Sequence, residues 1–176
     1  MARLILLNGP PAAGKSTLAR RWVADHPFAL NLDLDRIWEM LGGWQQDYRL
    51  ASSLACQLAA AMASTHLRQQ LDVIVPQFLG RPRFIDELAA VAADAGAEFR
   101  HLVLLPELAT TLARFAARTD HSIAEELTAL LGGPDELNRG YQRLVELLPR
   151  RPEAEVLRLD QDTPEQAYAQ LRAVLD

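Results

Sequence analysis

Lysine is almost missing from this sequence. Of its 18 lysines and arginines, Lys15 is the only lysine. A compact ammonium and a planar guanidinium are not interchangeable. A chain that uses arginine everywhere else and lysine once therefore marks that one position. Cysteine is as scarce: Cys56 stands alone, which excludes an internal disulfide and gives no case for a thiol nucleophile. It lies in an alanine-rich stretch and reads as a small buried apolar side chain. No apolar run reaches the roughly 20 residues of a membrane helix. Met1 to Asn8 is too short and too weakly basic for a signal peptide. A cytoplasmic protein without membrane contact is expected. An excess of positive charge is missing too. A net charge of −5 and a pI near 5.4 weigh against a dedicated nucleic-acid binder, although a short nucleic-acid end as substrate stays open.

What is present is ordinary for a globular chain. The 176 residues are 49% hydrophobic and 23% charged, enough for one compact domain spanning 1–176. There is no repeat, no low-complexity tract and no linker. Oligomeric state is left open.

Apolar runs alternate with helical spacing along the chain. Strands are expected at Arg3–Asn8, Phe28–Leu32, Asp72–Pro76, Glu98–Leu105 and Glu155–Leu159. Helices are expected at Gly14–Ala24, Arg36–Leu41, Asp47–Leu71 (as one or two pieces), Arg83–Ala95, Leu108–Arg118 and Pro164–Leu175, the last with Thr163 as N-cap and Pro164 at its first position. The polar stretch Thr119–Leu148, with Gly132-Gly133-Pro134 inside it, reads as helical pieces around a mobile loop. Strands separated by helices imply an α/β fold: a five-stranded parallel sheet buried by helices on both faces.

The sharpest local signal is Gly9-Pro10-Pro11-Ala12-Ala13-Gly14-Lys15-Ser16, a match to G-x-x-x-x-G-K-[ST] between an apolar strand and a helix. Glycines let such a loop close around phosphates with its N–H groups inward. The following helix adds its positive end. Lys15 would reach the β- and γ-phosphates, and the Ser16 hydroxyl would bind Mg²⁺. Gly9, Pro10, Ala12, Ala13, Gly14, Lys15, Ser16 and Thr17 are the expected nucleotide contacts. A tight strand-to-helix turn without ligand is the alternative.

The second strand runs into Asn31-Leu32-Asp33-Leu34-Asp35-Arg36-Ile37-Trp38. With these residues the chain resembles the small P-loop kinases: shikimate kinase, gluconate kinase, chloramphenicol phosphotransferase, zeta toxins and polynucleotide 5′-kinases. The resemblance spans the chain in element order. Its motifs are confined to the phosphate loop, Asp33-x-Asp35 and an arginine pair. It implies a three-layer P-loop NTPase fold with a helical lid at about 119–148, and ATP with Mg²⁺. Asp33-x-Asp35 looks like the shikimate kinase arrangement, in which the first aspartate supports the metal shell and the second meets the acceptor hydroxyl. Asp35 to Met40 looks like the chloramphenicol phosphotransferase segment that carries its catalytic aspartate. Both imply Asp35 as general base and a magnesium role for Asp33. Phosphoryl transfer needs positioning, charge neutralisation and an acceptor for the hydroxyl proton, which suits this pair. At a strand's carboxyl end, residues two apart share a side and can face the ligand crevice. Asp35 could instead cap the following helix.

One departure concerns the end of the third strand. Many relatives carry an aspartate there, but this chain reads Val75-Pro76-Gln77, with Asp72 at the opposite end of the strand. The Val-Pro ending looks like the tunicamycin-resistance proteins. Gln77 is a candidate to orient substrate or water. The glycine triplet of shikimate kinase is absent, which argues against shikimate as acceptor.

Arg114 and Arg118 stand four residues apart and would share a helix face. They look like the pair that opens the lid in nucleoside monophosphate kinases and their relatives. There the first arginine stacks on adenine and the second stabilises charge on the transferred phosphoryl. A solvated basic face is the alternative. Arg81 and Arg83, around Pro82, could hold an anionic group of the acceptor or cap a helix. Trp38, Trp44 and Tyr48 could line an acceptor pocket or belong to the core. The resemblance thus implies a kinase acting on a hydroxyl of a small molecule, such as an antibiotic, sugar or nucleoside. A polynucleotide 5′-kinase, a zeta-type toxin kinase and a nucleotide-hydrolysing switch remain as alternatives.

Overall fold

The computed structural model describes residues 1–117, 133–160 and 162–175. Five strands are separated by helices. They are β1 Arg3–Asn8, β2 Leu30–Asn31, β3 Val73–Pro76, β4 Glu98–Leu104 and β5 Glu155–Leu157. Among the described residues the helices are α1 Lys15–Asp25, α2 Leu34–Met40, α3 Tyr48–Leu67, α4 Pro82–Asp94, α5 Leu108–Ala116, α6 Pro134–Leu147 and α7 Pro164–Leu175. All strand pairs are parallel, in the order β2-β3-β1-β4-β5.

Strand parity divides the core. Ile5, Leu7, Ile74, Leu102 and Leu104 face α1 and α7, where they meet Leu18, Trp22, Tyr168 and Leu171. Leu4, Leu6, Val73 and Val75 face the other way, onto Ile37, Trp38, Ala55, Ala59, Ile85 and Leu88 of α2, α3 and α4. Trp22 is wholly buried, and a side chain of that kind contributes about 1.5–3 kcal/mol or more of transfer free energy. α1 therefore lies on one face and α4 on the other. The loops that follow adjacent strands β1 and β3 diverge at their carboxyl ends, which opens the crevice where ligands of such sheets bind.

Local chemistry explains the element ends. Asp47 caps α3, its Oδ1 accepting from the N–H groups of Arg49 and Leu50 at 3.1 and 3.0 Å. Thr163 and Gln166 form a reciprocal cap on α7: the Gln166 N–H donates to Thr163 Oγ1, and the Thr163 N–H donates to Gln166 Oε1. On α3, Ala51, Ala55, Ala59 and Ala63 recur every fourth residue and are buried, so small side chains bring that helix close to its neighbours.

The second strand is shorter than the expected Phe28–Leu32. Phe28 sits at φ 64, in the left-handed region, so extended pairing begins only at Leu30. Asp72 is tied down at the amino end of β3. Its Oδ2 accepts from Arg3 Nε and NH2 at 3.1 and 2.8 Å, and its Oδ1 from the Arg3 N–H at 2.8 Å. That places it away from the carboxyl ends. Of the stretch expected as helical pieces of a lid at 119–148, the part from Pro134 onward is described. α6 is one continuous helix that buries Leu137, Gly140, Leu144 and Leu147 in the body of the protein. Residues 118–132 lie outside the described residues. Among the described residues, no helix is long and apolar enough to cross a membrane.

Candidate active site

The loop between β1 and α1 is shaped by backbone conformations that few side chains allow. Gly9 has φ +149, and a Cβ there would overlap the Leu104 carbonyl oxygen of β4. Gly14 is left-handed at φ 95 and caps α1 without any side-chain oxygen, so no side chain covers the first N–H groups of that helix. Ala12 also has positive φ, at 62. Left-handed backbone at a non-glycine residue is costly and gathers at functional sites.

Inside the loop the Ala13 N–H and the Lys15 ammonium both donate to the Pro10 carbonyl, at 3.3 and 2.8 Å. Lys15 is buried, whereas Ser16 and Thr17 are exposed on the first turn of α1. An uncapped helix start, left-handed backbone at Ala12 and Gly14, and a lysine folded over the loop together form an anion cradle.

Two expectations about the acidic pair change with the backbone. β2 stops at Asn31, so Asp33 and Asp35 are not alternate residues of one strand. Asp33, rather than Asp35, is the N-cap of α2, and its Oδ1 accepts from the Asp35 N–H at 3.1 Å. Asp35 is half-buried in the first turn of α2. Burial raises the Asp33 carboxyl above the usual aspartate range, and its bond from the Asp35 N–H and the charges of Arg36 and Lys15 oppose that rise.

Arg114 of α5 reaches the segment after β5. Its NH2 donates to the carbonyls of Leu159 and Asp160 at 3.1 and 2.8 Å, which locks α5 to the segment after β5. Beside it opens a cleft of about 270 Å³, bounded by Ala12, Ala13, Gly14 and Thr17 on one side and by Arg114 and Asp162 on the other. The cleft adjoins the phosphate loop. Arg118 and His121 lie outside the described residues.

The acceptor-side candidates are dispersed. The Gln77 N–H donates to the Leu7 and Val75 carbonyls, both at 3.1 Å, which extends the β1–β3 pairing past Pro76. Trp38 and Trp44 are buried and meet edge-on at 5.3 Å between centroids, and Tyr48 packs against the same cluster. Arg81 is the N-cap residue of α4, Pro82 takes its first position, and Arg81 and Arg83 are both exposed.

Asn8 is a site residue that sequence reasoning missed. Its buried side chain lies between the phosphate loop and the loop after β3. Oδ1 accepts from the N–H groups of Gly9 and Leu79 at 2.8 and 2.9 Å, and Nδ2 donates to the Leu79 carbonyl at 2.9 Å. Nδ2 also meets His101 Nε2 at 3.4 Å. An Asn-Gly pair at the mouth of the motif was the available signal. His101 is buried on β4, burial pushes its pKa down to about 4, and its Nδ1 has no partner among the described residues.

A parallel sheet in this order with a phosphate cradle after β1 defines a P-loop kinase-like nucleotide-binding fold. The chain belongs to the AAA domain family, whose sequence profile matches residues 4–130. Its fold is similar to that of a sugar kinase from Janibacter sp. HTCC2649, with a TM-score of 0.68 and 18% identity over 100% of this chain and 95% of that one. It is similar to the tunicamycin resistance protein of Deinococcus radiodurans, with a TM-score of 0.64 and 16% identity over 99% and 96%. It is also similar to thymidylate kinase from Candida albicans, with a TM-score of 0.65 and 13% identity over 99% and 91%. At such identities the likeness is one of fold. None of the curated protein sequences matches the chain.

Proposed function

We propose that this protein is a kinase that moves the γ-phosphoryl group of ATP to a hydroxyl of a small molecule. The observation that carries the reading is the phosphate loop itself: α1 begins at a left-handed Gly14 with no side-chain cap, and the Lys15 ammonium lies over the loop on the Pro10 carbonyl. A lysine for phosphate oxygens and an adjacent carboxylate pair for metal and acceptor are the parts that phosphoryl transfer needs.

In this reading the loop from Gly9 to Thr17 binds the phosphates, and the cleft beside Arg114 takes the base. Arg118 stabilises charge on the group in transit. Ser16 and Asp33 offer the hard oxygen donors that Mg²⁺ prefers, and the ion when bound would neutralise charge on the phosphates. Asp35 takes the proton of the acceptor hydroxyl. The acceptor oxygen forms a bond to the γ-phosphorus, the bond from that phosphorus to the β–γ bridging oxygen breaks, and ADP leaves with the electron pair. Gln77, Arg81, Arg83 and the surface near Trp38 border the acceptor side. The fold likeness to a sugar kinase and a tunicamycin resistance protein supports a small hydroxylated acceptor, with antibiotics, sugars and nucleosides as the classes to try.

The test is incubation with ATP and Mg²⁺, alone and with a panel of hydroxylated antibiotics, nucleosides and sugars, followed by mass spectrometry. A product heavier by one phosphoryl group, formed only with an acceptor, is expected. Steady hydrolysis that no acceptor alters, including a 5′-hydroxyl oligonucleotide, would overturn the kinase reading in favour of a hydrolytic switch.

A further inference from the structure

Helix α3 carries an apolar stripe that nothing among the described residues covers. Leu50, Leu54, Leu58 and Met62 follow one another every fourth residue and are 56%, 39%, 45% and 40% exposed. They lie about 100° around the helix from the buried alanines Ala51, Ala55, Ala59 and Ala63, beside the exposed row Ser53, Gln57, Ala61 and Thr65. From Leu50 to Thr65 the sequence contains no aspartate, glutamate, lysine or arginine, although 23% of the whole chain is charged. A solvent-facing helix is ordinarily polar on its outer side. Large apolar side chains combined with depletion of charge are the composition of an interface core.

A second observation points to the same face. The next position on the stripe is His66, whose Nε2 lies 2.8 Å from the Phe28 carbonyl. Phe28 is 81% exposed and is held at φ 64, a conformation that a bulky L-residue rarely adopts. A strained backbone that holds an aromatic ring out into water has no rationale in the isolated chain. Here it extends the apolar patch beyond the carboxyl end of α3.

We infer that this face is the contact between two copies of the chain, packed as antiparallel α3 helices about a two-fold axis that passes between Leu54 and Leu58. The spacing is self-complementary: Leu54 of one copy meets Leu58 of the other, and Leu50 meets Met62, twice over. Rows of residues four apart are the ridges that interlock in the commonest helix packing. The charge pattern suits a second copy of this chain. Each chain carries a net charge of −5, and the stripe contains no acid, so two copies can meet there without placing like charges in contact. The charges stand at the ends, Asp47 before α3 and Arg68 after it, and antiparallel packing carries Asp47 of one copy toward Arg68 of the other. Phe28 then lies over the first turn of the opposite helix.

The test is sedimentation velocity on the full chain over a concentration series, without nucleotide. It should show a species of twice 19.5 kDa that dissociates on dilution. The double variant Leu54→Glu/Leu58→Glu should remain at 19.5 kDa with an unchanged far-ultraviolet circular dichroism spectrum, since both positions face solvent. Should that variant misfold, Phe28→Ser gives the independent readout, with dissociation at least about tenfold easier. A wild-type monomer at every concentration would overturn the inference. So would a dimer that survives the double variant, or that is as tight with Phe28→Ser as in the wild type.

Discussion

The Asn8 side chain holds the Leu79 backbone by both its N–H and its C=O, as a neighbouring strand would. The β1–β3 ladder proper ends at Leu7 and Pro76. Asn8 thus carries strand-like pairing one step further and, through the Gly9 N–H, connects the acceptor-side loop to the phosphate loop. Asn8→Ala leaves three backbone groups without their partner, the Gly9 N–H buried and the two Leu79 groups half-buried. Each such loss costs on the order of 1–3 kcal/mol, partly relieved by entering water. We expect about 2–4 kcal/mol of destabilisation in urea unfolding, together with weaker binding of a fluorescent ATP analogue. A loss of stability without any change in nucleotide affinity would show that the link does not reach the phosphate loop.

Lys15 and Asp35 are expected to separate binding from chemistry. Lys15→Ala removes the ammonium that folds over the loop and should abolish transfer and weaken ATP binding. Asp35→Asn keeps the shape of the first turn of α2 but cannot accept a proton. It should lower the transfer rate by about 100-fold or more while leaving ATP affinity within a factor of a few. Full activity in Asp35→Asn, measured by product formation with the acceptor found in the panel, would remove Asp35 from the base role.

The tip of the Phe78 ring lies against Gly140, in the middle of α6. A Cβ at Gly140 would stand 2.9 Å from Phe78 Cζ. Alanine is favoured over glycine inside a helix by about 0.5–1 kcal/mol, so the buried glycine is explained by the ring and not by the helix. Gly140→Ala should destabilise by about 1–2 kcal/mol, because the overpacking penalty exceeds the propensity gain. In a Phe78→Leu background the same substitution should be neutral or stabilising. A thermal-denaturation double-mutant cycle with additive effects would refute the contact.

His101 predicts a sensitivity to mild acid. Its folded pKa of about 4 lies below the ordinary histidine value of 6.5. The unfolded state therefore binds the proton first as pH falls. Stability is unaffected above pH 6.5 and is lost between pH 6.5 and 4. At 1.36 kcal/mol per unit the full loss is about 3 kcal/mol. His101→Gln, which cannot be charged, should flatten the stability profile in that interval. An equal acid slope in the two proteins would show that other groups carry it.

The order of strands and helices could be read from the sequence because the signals are local. Apolar runs broken by Pro, Gly and helical spacing repeat along the chain, and the phosphate loop announces itself within eight residues. Capping of α7 by Thr163 was legible for the same reason. Asp33 and Asp35 were legible as a pair, but not their geometry. A strand that stops at Asn31 and a helix that starts at Leu34 turn a shared strand face into a cap and a first turn. Phe28 shows why: its left-handed backbone sets where pairing can begin, and conformation at one residue is not written in the hydrophobic pattern.

By itself, then, the sequence determined the α/β class, the parallel sheet and the phosphate cradle, since each depends on neighbours within a few residues. Only the tertiary structure decided that Asn8 fastens the loop after β3 and that Gly140 exists to receive Phe78. It alone showed that α6 belongs to the body of the protein and that one face of α3 is left apolar in water. These depend on atoms about 60–70 residues apart in sequence, or on which side of a helix the sheet covers. Burial imposes such choices and local propensity does not.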